Sequence, residues 1–306
     1  YINETEQKIS KKGLDKVRLV PKDSVLVSCT ATLGKIAIAK HPLTTNQQIN
    51  AIICNDKILP RYFAYVMEEI GKYMQYLTNN VGVKHINQEM LNNIQVPLPP
   101  LDIQQKIVDE IEKIENECAK KQKLVENLKN KINNTINIKT NTRNYKIGQL
   151  ITLEYGKSLP KAKRNEGIYP VVGSNGIDGY HNTYMLEAPN IIVGRKGSVG
   201  KINWINENCT PIDTCFYVKA NVDLINFKYC YYMLKEANLE SLNTGLGPGG
   251  LNRNTAYNVN VKLPSIEEQQ KIVSQIEELE KQISEAQTII DNSKQQKQEI
   301  LDKYLK

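Results

Sequence analysis

The sequence has few of the residues on which metal sites, disulfides and membrane spans depend. It has three histidines, and its six cysteines form no Cys-x-x-Cys pair. We therefore expect neither a zinc site nor a disulfide framework, and the simplest location is a reducing cytoplasm. No run approaches the roughly 20 apolar residues that a spanning helix needs, and no signal-peptide pattern follows Tyr1. These absences exclude several classes of protein and select none.

Motifs for covalent chemistry are also missing from the sequence. It lacks the GxxxxGK[ST] phosphate loop, the GxSxG elbow, the HExxH helix and the Asn-Pro-Pro-aromatic tetrapeptide of amino-methyltransferases. The segment from Gly194 to Gly200 resembles a phosphate loop but lacks its terminal Lys-Ser/Thr. Asp213 stands near Cys215 with no histidine close by in sequence. We therefore predict that the chain has no catalytic residues, no metal and no cofactor of its own.

The composition is that of a globular protein with an excess of positive charge. The chain has 306 residues, 40% of them hydrophobic and 24% charged, and a formal net charge of +7. This length accommodates two domains of ordinary size. The two helical segments predicted below carry a net charge of −2, which leaves +9 on the remainder. The positive excess favours a polyanionic partner for that remainder.

A long internal repeat is the most informative feature of the sequence. VPLPPLDIQQKIVDEIEKIE (96–115) aligns without a gap with VKLPSIEEQQKIVSQIEELE (261–280), and TLGKIAI (32–38) aligns with SVGKINW (198–204). Between these anchors each copy has a tyrosine-rich stretch and then a small-residue loop, which begins at Asn79 in the first copy. An ordered series of matches predicts two copies of one unit, each a globular head followed by a long helix.

The two copies differ in length at their beginnings. In the second copy about forty residues precede the segment that leads into the Gly-Lys strand. In the first copy only about twenty residues precede the corresponding segment. We expect the first copy to be incomplete at its N-terminus. The predicted division is 1–100 and 143–264 for the two globular heads and 101–142 and 265–306 for the two helices.

Apolar residues repeat with a heptad period after each Leu-Pro. The pattern predicts two helices of about 35 to 40 residues, and an antiparallel intramolecular pair suits them best. Two surface helices, each on its own domain, are the alternative. The heads are predicted to be β-rich, from six runs of Val, Ile and Tyr: SVLVS, KIAIA, INAIIC, IYPVV, NIIVG and CFYVK. One short helix is expected in each head, near 63–77 and 227–239, which gives an α+β fold.

The repeat resembles the specificity subunit of Type I restriction–modification systems. The residues that carry the resemblance are LPPLDIQQKIV (98–108) with LPSIEEQQKIV (263–273), ATLGKIAI (31–38) with GSVGKINW (197–204), and TTNQQINA (44–51). The resemblance implies two target-recognition domains on an antiparallel helical spacer, each reading half of a split sequence in double-stranded DNA. It also implies separate adenine methyltransferase subunits, which would use S-adenosylmethionine, and in some assemblies restriction subunits.

Base reading needs polar side chains on loops, with lysine and arginine at the margins to bind phosphates. The candidates for DNA contact are Ser28, Thr30, Thr32, Lys35, Gln47, Gln48, Asn79 and Lys84 in the first head and Ser174, Asn175, Tyr180, Arg195, Lys196, Ser198, Lys201, Asn252 and Arg253 in the second. For each Ser, Thr or Asn among these candidates, the alternative to a DNA contact is a role in capping a turn.

Three other functions remain open from the sequence. The chain has an alternative interpretation as the C-terminal recognition region of a single-chain adenine methyltransferase. A coiled-coil scaffold that binds only proteins would have duplicate heads without salt-sensitive affinity for DNA. A nuclease would need an acidic metal-binding cluster on the heads, and the spacing of acidic residues provides none.

Overall fold

The fold is described from a computed structural model of the chain. The structure describes residues 1–6, 8–30, 33–81, 85–136, 142–242 and 250–305, and for residues 73 and 76–81 it describes the backbone alone. The helices in these ranges are α1 (Lys11–Leu14), α2 (Pro60–Val81), α3 (Gln88–Asn92), α4 (Leu101–Ile136), α5 (Ile147–Leu150), α6 (Phe227–Glu236), α7 (Arg253–Tyr257) and α8 (Ile266–Leu305).

The strands in the same ranges are short. They are β1 (Val25–Ser28), β2 (Ile36–Ile38), β3 (Ile49–Ile52), β4 (Arg143–Lys146), β5 (Ile151–Tyr155), β6 (Tyr169–Gly173), β7 (Gly176–His181), β8 (Asn190–Gly194), β9 (Ile202–Ile205), β10 (Thr210–Pro211), β11 (Cys215–Ala220) and β12 (Asn260–Leu263). Each of the six predicted runs overlaps one of them, and the predicted α+β class is confirmed.

The predicted first residue of one loop is wrong. The sequence placed Asn79 at the start of a small-residue loop, whereas α2 continues to Val81. The helix is 22 residues long and has a buried apolar face that includes Phe63 and Met67. Packing of these two side chains against the core stabilises the first part of the helix.

The chain divides into two compact units, Tyr1–Lys123 with Ala286–Lys306, and Leu124–Glu285. The first unit contains the antiparallel sheet β2-β1-β3, in which β1 is central. Val25 and Val27 on β1 and Phe63 on α2 belong to its apolar core. Burial of these side chains holds α2 against the sheet.

The second unit has a larger head, in which the described residues form three sheets. Its four-stranded antiparallel sheet has the order β5-β11-β8-β9, and smaller sheets have the orders β10-β6-β7 and β12-β4. Ile191, Val193 and Phe216 form part of a core that also includes Cys230 and Leu234 of α6. This head therefore contains the same central strands as the first unit, with further strands around them.

The two long helices pair in antiparallel orientation within each unit, as predicted. In the first unit, Glu110 on α4 accepts from Tyr304 on α8 at 2.6 Å, whereas Glu115 accepts from Lys297 at 3.2 Å. As the residue number on α4 increases, the residue number of its contact on α8 decreases, so the two helices run in opposite directions. In the second unit, Ile132 of α4 packs against the core that includes Ile272, Val273 and Ile276 of α8.

Matching contacts show that the sequence repeat is also a structural repeat. The isolated β-bridge between Val20 and Leu43 has its counterpart in the bridge between Leu186 and Cys209. Leu186 lies 166 positions after Val20, and Cys209 lies 166 positions after Leu43. The two heads therefore share a backbone arrangement that extends beyond the matching motifs.

The glycine of each Gly-Lys strand has the same structural role. Gly34 and Gly200 have φ values of 72° and 76°, in the left-handed region that favours glycine. A Cβ on Gly34 would lie 2.5 Å from the Gly71 carbonyl oxygen, and one on Gly200 would overlap the backbone of Leu239. The motif therefore marks a close backbone contact between the strand region and the helical region of each head.

The first glutamine of each Gln-Gln pair binds three backbone groups. Gln104 is buried; its Oε1 accepts from the Leu59 N–H at 2.8 Å, and its Nε2 donates to the Pro99 and Lys57 carbonyls at 2.8 and 3.0 Å. Gln269, also buried, makes the corresponding bonds in the second unit, with the Asn226 N–H as donor. This amide fixes the start of each long helix to its head.

Candidate DNA interface

Two neighbouring turns of the second head bring four predicted residues together. Asn175 lies in the β6–β7 turn, and its Oδ1 accepts from Lys201 Nζ at 2.7 Å and from Ser198 Oγ at 3.5 Å. The adjacent Ser174 carbonyl accepts from Asn203 Nδ2 at 3.5 Å. This Asn175 cluster, defined as Ser174, Asn175, Ser198 and Lys201, presents amide, hydroxyl and ammonium groups. Such groups match the hydrogen-bonding edges of bases and the oxygens of phosphates.

Two other predicted residues of this head are arginines that share one aromatic ring. The guanidinium carbons of Arg195 and Arg253 lie 4.9 and 5.3 Å from the ring centroid of Tyr155. The tyrosine ends β5 and is 48% exposed. Such distances allow cation–π attraction. The fold thus places two positive charges around one half-exposed aromatic ring.

The remaining candidates of the second head have different surroundings. Tyr180 on β7 is 52% exposed, and Lys196 is exposed while its backbone forms a bridge with Gly250. The Asn252 side chain accepts from the N–H groups of Asn254 and Thr255 at the start of α7. Asn252 is thus a helix cap, the alternative role considered for such residues.

An ion pair lies beside the β6–β7 hairpin. Arg164 Nη2 donates to Asp178 Oδ2 at 2.9 Å, and Lys161 Nζ lies 3.5 Å from the other carboxylate oxygen. The hydrogen bond from Arg164 holds the pKa of Asp178 below its usual value. The carboxylate offsets positive charge near the hairpin, so Arg164 is a weaker candidate for phosphate contact than arginines without a carboxylate partner.

In the first head, three predicted residues line one groove. Ser28, Lys35 and Gln47 are among the residues around a groove of about 1030 Å³. Ser28 Oγ accepts from the Lys35 backbone N–H at 2.9 Å. Gln48 lies beside the groove; its N–H donates to Asn46 Oδ1 at 3.0 Å, so its backbone is held in a local turn. The groove mixes polar groups with the apolar face of the sheet.

The other candidates of the first head are less well defined. Thr30 forms a backbone bridge with His85, and among the described residues no group forms a hydrogen bond with its buried Oγ1. Thr32 and Lys84 lie outside the described residues. Asn79 lies on α2, and its side chain is outside the described part of the structure.

Tyr155 was not among the residues predicted from the sequence. Aromatic rings beside basic side chains are typical of nucleic-acid contacts, but Tyr155 is 40 residues from Arg195 and 98 from Arg253. The antiparallel pairing of β5 with β11, and of β11 with β8, brings them together. Asn203 was also missed, because it lies within a strand and was assigned no loop role.

The same described ranges contain neither a metal cluster nor a membrane span. There, no group of three or more His, Cys, Asp or Glu side chains is arranged to hold a metal ion. Likewise, none of the helices described above is both long and apolar enough to cross a membrane.

The chain contains two copies of one head, and a long helix follows each copy. This arrangement is that of a protein with two similar binding heads. The family model for the Type I restriction modification DNA specificity domain matches residues 1–134 and again residues 139–295. The chain therefore belongs to this family, as its sequence resemblance predicted.

Similar proteins include two curated relatives and one solved structure. The MjaIX specificity subunit of Methanocaldococcus jannaschii is 31% identical over 35% of this chain and 26% of its own length. The EcoprrI specificity subunit of Escherichia coli is 20% identical over 86% of this chain and 72% of its own length. The crystal structure of the S subunit of a Type I system from M. genitalium has a TM-score of 0.66 and 14% identity, over 95% of this chain and 85% of that one. That likeness shows the fold.

Proposed function

We propose that this chain recognises specific DNA sequences and thereby directs adenine methylation in a Type I restriction–modification complex. The observation that carries the proposal is the match of the DNA specificity domain family to each half of the chain. Two heads in one chain suit a split target, with one half-sequence read by each. In this proposal the two recognition domains are residues 1–100 and 143–264, and the helices set the distance between the halves.

The surface chemistry supports the same function. The Asn175 cluster presents donors and acceptors from two turns, and the groove of the first head is lined by Ser28, Lys35 and Gln47. The excess of positive charge lies outside the long helices. Positive heads attract the DNA backbone, whereas polar groups on turns discriminate between bases.

The proposal assigns the chemistry to partners. An adenine methyltransferase, as separate subunits, would bind S-adenosylmethionine and transfer the methyl group, and restriction subunits would join where cleavage occurs. This chain would select the site and have no catalytic residue. The MjaIX and EcoprrI relatives are specificity subunits of restriction enzymes, which supports this division of roles.

Genome-wide mapping of adenine methylation, with and without the gene for this chain, tests the proposal. We expect one motif, split by an unread gap of fixed length, to lose methylation when the gene is deleted and to regain it on complementation. Loss of a continuous, asymmetric motif would instead favour the single-chain methyltransferase. Unchanged methylation in a strain whose methyltransferase is active would contradict the proposal.

The same assay tests the second head. Complementation with Lys201→Ala removes the ammonium that binds Asn175, so we expect weaker or altered methylation in one half of the motif only. The matched control is Lys219→Ala, which removes an exposed lysine of β11 in the same head. Equal effects of both variants would indicate a general charge effect and reject the Asn175 cluster as a reading site.

A further inference from the structure

Three separate segments of the second head meet at Tyr155. The residue ends β5, Arg195 directly follows β8, and Arg253 begins α7. Phe216 of β11 pairs with Tyr155 across the sheet, and their ring centroids are 4.9 Å apart. The ring is therefore supported on one side by a buried aromatic residue, while 48% of the tyrosine surface stays exposed.

Backbone carbonyls hold both guanidinium groups in place. Arg195 Nη1 donates to the Asp213 carbonyl at 2.8 Å, and Arg253 Nη1 donates to the Leu153 carbonyl at 3.4 Å. A guanidinium has five N–H donors, so each arginine keeps several donors for another acceptor. Both residues are half-buried, which limits the solvent available to them.

Neither guanidinium has a carboxylate neighbour within the described ranges, where no acidic oxygen lies within 4.0 Å of either one. The other arginines with comparable burial are paired, Arg61 with Glu112 and Glu115, and Arg164 with Asp178. Two like charges placed around one ring without a carboxylate partner attract an anion.

We propose that Arg195 and Arg253, positioned by the ring of Tyr155, bind phosphate groups of the DNA backbone. The proposal rests on the proposed function and adds a phosphate site to it. The planar guanidinium matches the geometry of phosphate oxygens, and stacking on an aromatic ring orients it before DNA binds. Tyr155 is a positioning residue, since it acts through the two arginines.

The first copy has no equivalent of this site. The positions that correspond to Arg195 and Arg253 in the repeat are Cys29 and Gln88. Cys29 is buried and its Sγ accepts from Asn50 Nδ2, so this position faces the interior. The first head therefore lacks these two arginines at the corresponding positions, and the proposed phosphate site is one of the second head.

The test is the salt dependence of binding of the full chain to a short DNA duplex of arbitrary sequence. Removal of one protein–phosphate interaction lowers the slope of log K against log salt by about 0.9. We expect Arg195→Ala and Arg253→Ala to lower it by about that amount each, and Tyr155→Ala to lower it as well. Tyr155→Phe keeps the ring, so it should rescue the slope that Tyr155→Ala loses.

Arg143→Ala is the matched control, because Arg143 is an exposed arginine of the same unit. A slope lowered equally by this variant would mean a general charge effect and overturn the phosphate site. Unchanged slopes for both arginine variants would overturn it too, even if Tyr155→Ala fails to fold. Absence of DNA binding by the wild-type chain would be a failure of the proposed function itself and is distinguishable from either result.

Discussion

The two copies of the repeat make the same tyrosine–glutamate bond between head and helix. Tyr65 Oη donates to Glu115 Oε2 at 2.9 Å in the first copy, and Tyr232 Oη donates to Glu280 Oε2 at 3.0 Å in the second. Both tyrosines are buried. Burial, together with the adjacent carboxylate, raises the pKa of both hydroxyls, so they remain protonated donors at any physiological pH.

The surroundings of this bond differ between the copies. In the first, Arg61 bonds Glu115 at 2.7 Å and Lys297 bonds it at 3.2 Å, so the junction is ionic. The position equivalent to Arg61 is Lys228, whose Nζ lies 4.2 Å from the ring centroid of Trp204. The position equivalent to Lys297 is Ile132, which packs against an apolar core.

The comparison separates two kinds of contact. Directional contacts of the backbone and of the buried tyrosine and glutamine side chains recur in both copies. Charged contacts around them do not recur. A hydrogen bond to a buried group has one good geometry, whereas half-exposed charges can be replaced by apolar packing at little net cost. We therefore expect matched substitutions to have equal effects where the contact recurs and unequal effects where its surroundings differ.

The largest effect is expected for Gly34→Ala and Gly200→Ala. Each adds a Cβ in the left-handed region and against backbone, so each should lower the free energy of unfolding by about 3 kcal/mol. Urea denaturation of both variants measures it. Gly13→Ala, on a helix where a Cβ meets only ordinary contacts, is the control and should change stability little. If Gly34→Ala lowered the free energy of unfolding and Gly200→Ala left it unchanged, the two glycines would not have equivalent roles in the two heads.

A smaller effect is expected for Gln104→Met and Gln269→Met. Methionine fills a similar volume but leaves one N–H and two carbonyl groups without the buried amide, which should cost about 2 kcal/mol in either copy. The exposed second glutamine of each pair offers the control, as Gln105→Met and Gln270→Met. Equal stability of the buried and exposed variants in thermal unfolding would show that the amide does not fix the helix to the head.

The smallest effect, and the one that should differ between copies, is expected for Tyr65→Phe and Tyr232→Phe. Glu115 keeps Arg61 and Lys297 when Tyr65 loses its hydroxyl, so the loss should be about 1 kcal/mol. In the described part of the chain Glu280 has no cation within 4.0 Å, so loss of the Tyr232 hydroxyl should cost about 2 kcal/mol. A larger decrease of the urea midpoint for Tyr65→Phe than for Tyr232→Phe would contradict the distinction between ionic and apolar junctions.

Most of the fold followed from periodic patterns in the sequence. Heptad spacing predicted two long helices in 101–142 and 265–306, and the structure has them at Leu101–Ile136 and Ile266–Leu305. Runs of Val, Ile and Tyr predicted the central strands. The strands that were missed, such as β4 and β12, have mixed composition and are stabilised by pairing with each other. Pairing across the chain decides such strands, so local residue types predict them poorly.

The candidate interface was only partly predictable. Loop chemistry indicated Asn175 and Lys201, which do form one cluster. The same reasoning proposed Asn252, whose side-chain oxygen caps α7; its contact with DNA stays a prediction. Tyr155 was missed because its relation to the arginines exists only through the sheet.

The sequence by itself determined the duplication, the two long helices and the family, because each depends on residue identities at regular or matching positions. Tertiary structure alone decided which polar residues meet and which charges remain without a counter-ion. Strand pairing brings Tyr155 to Arg195 and Arg253, and antiparallel helix packing brings Glu115 to Lys297. Contacts between residues far apart in sequence arise from the packing of elements, and no local pattern encodes them.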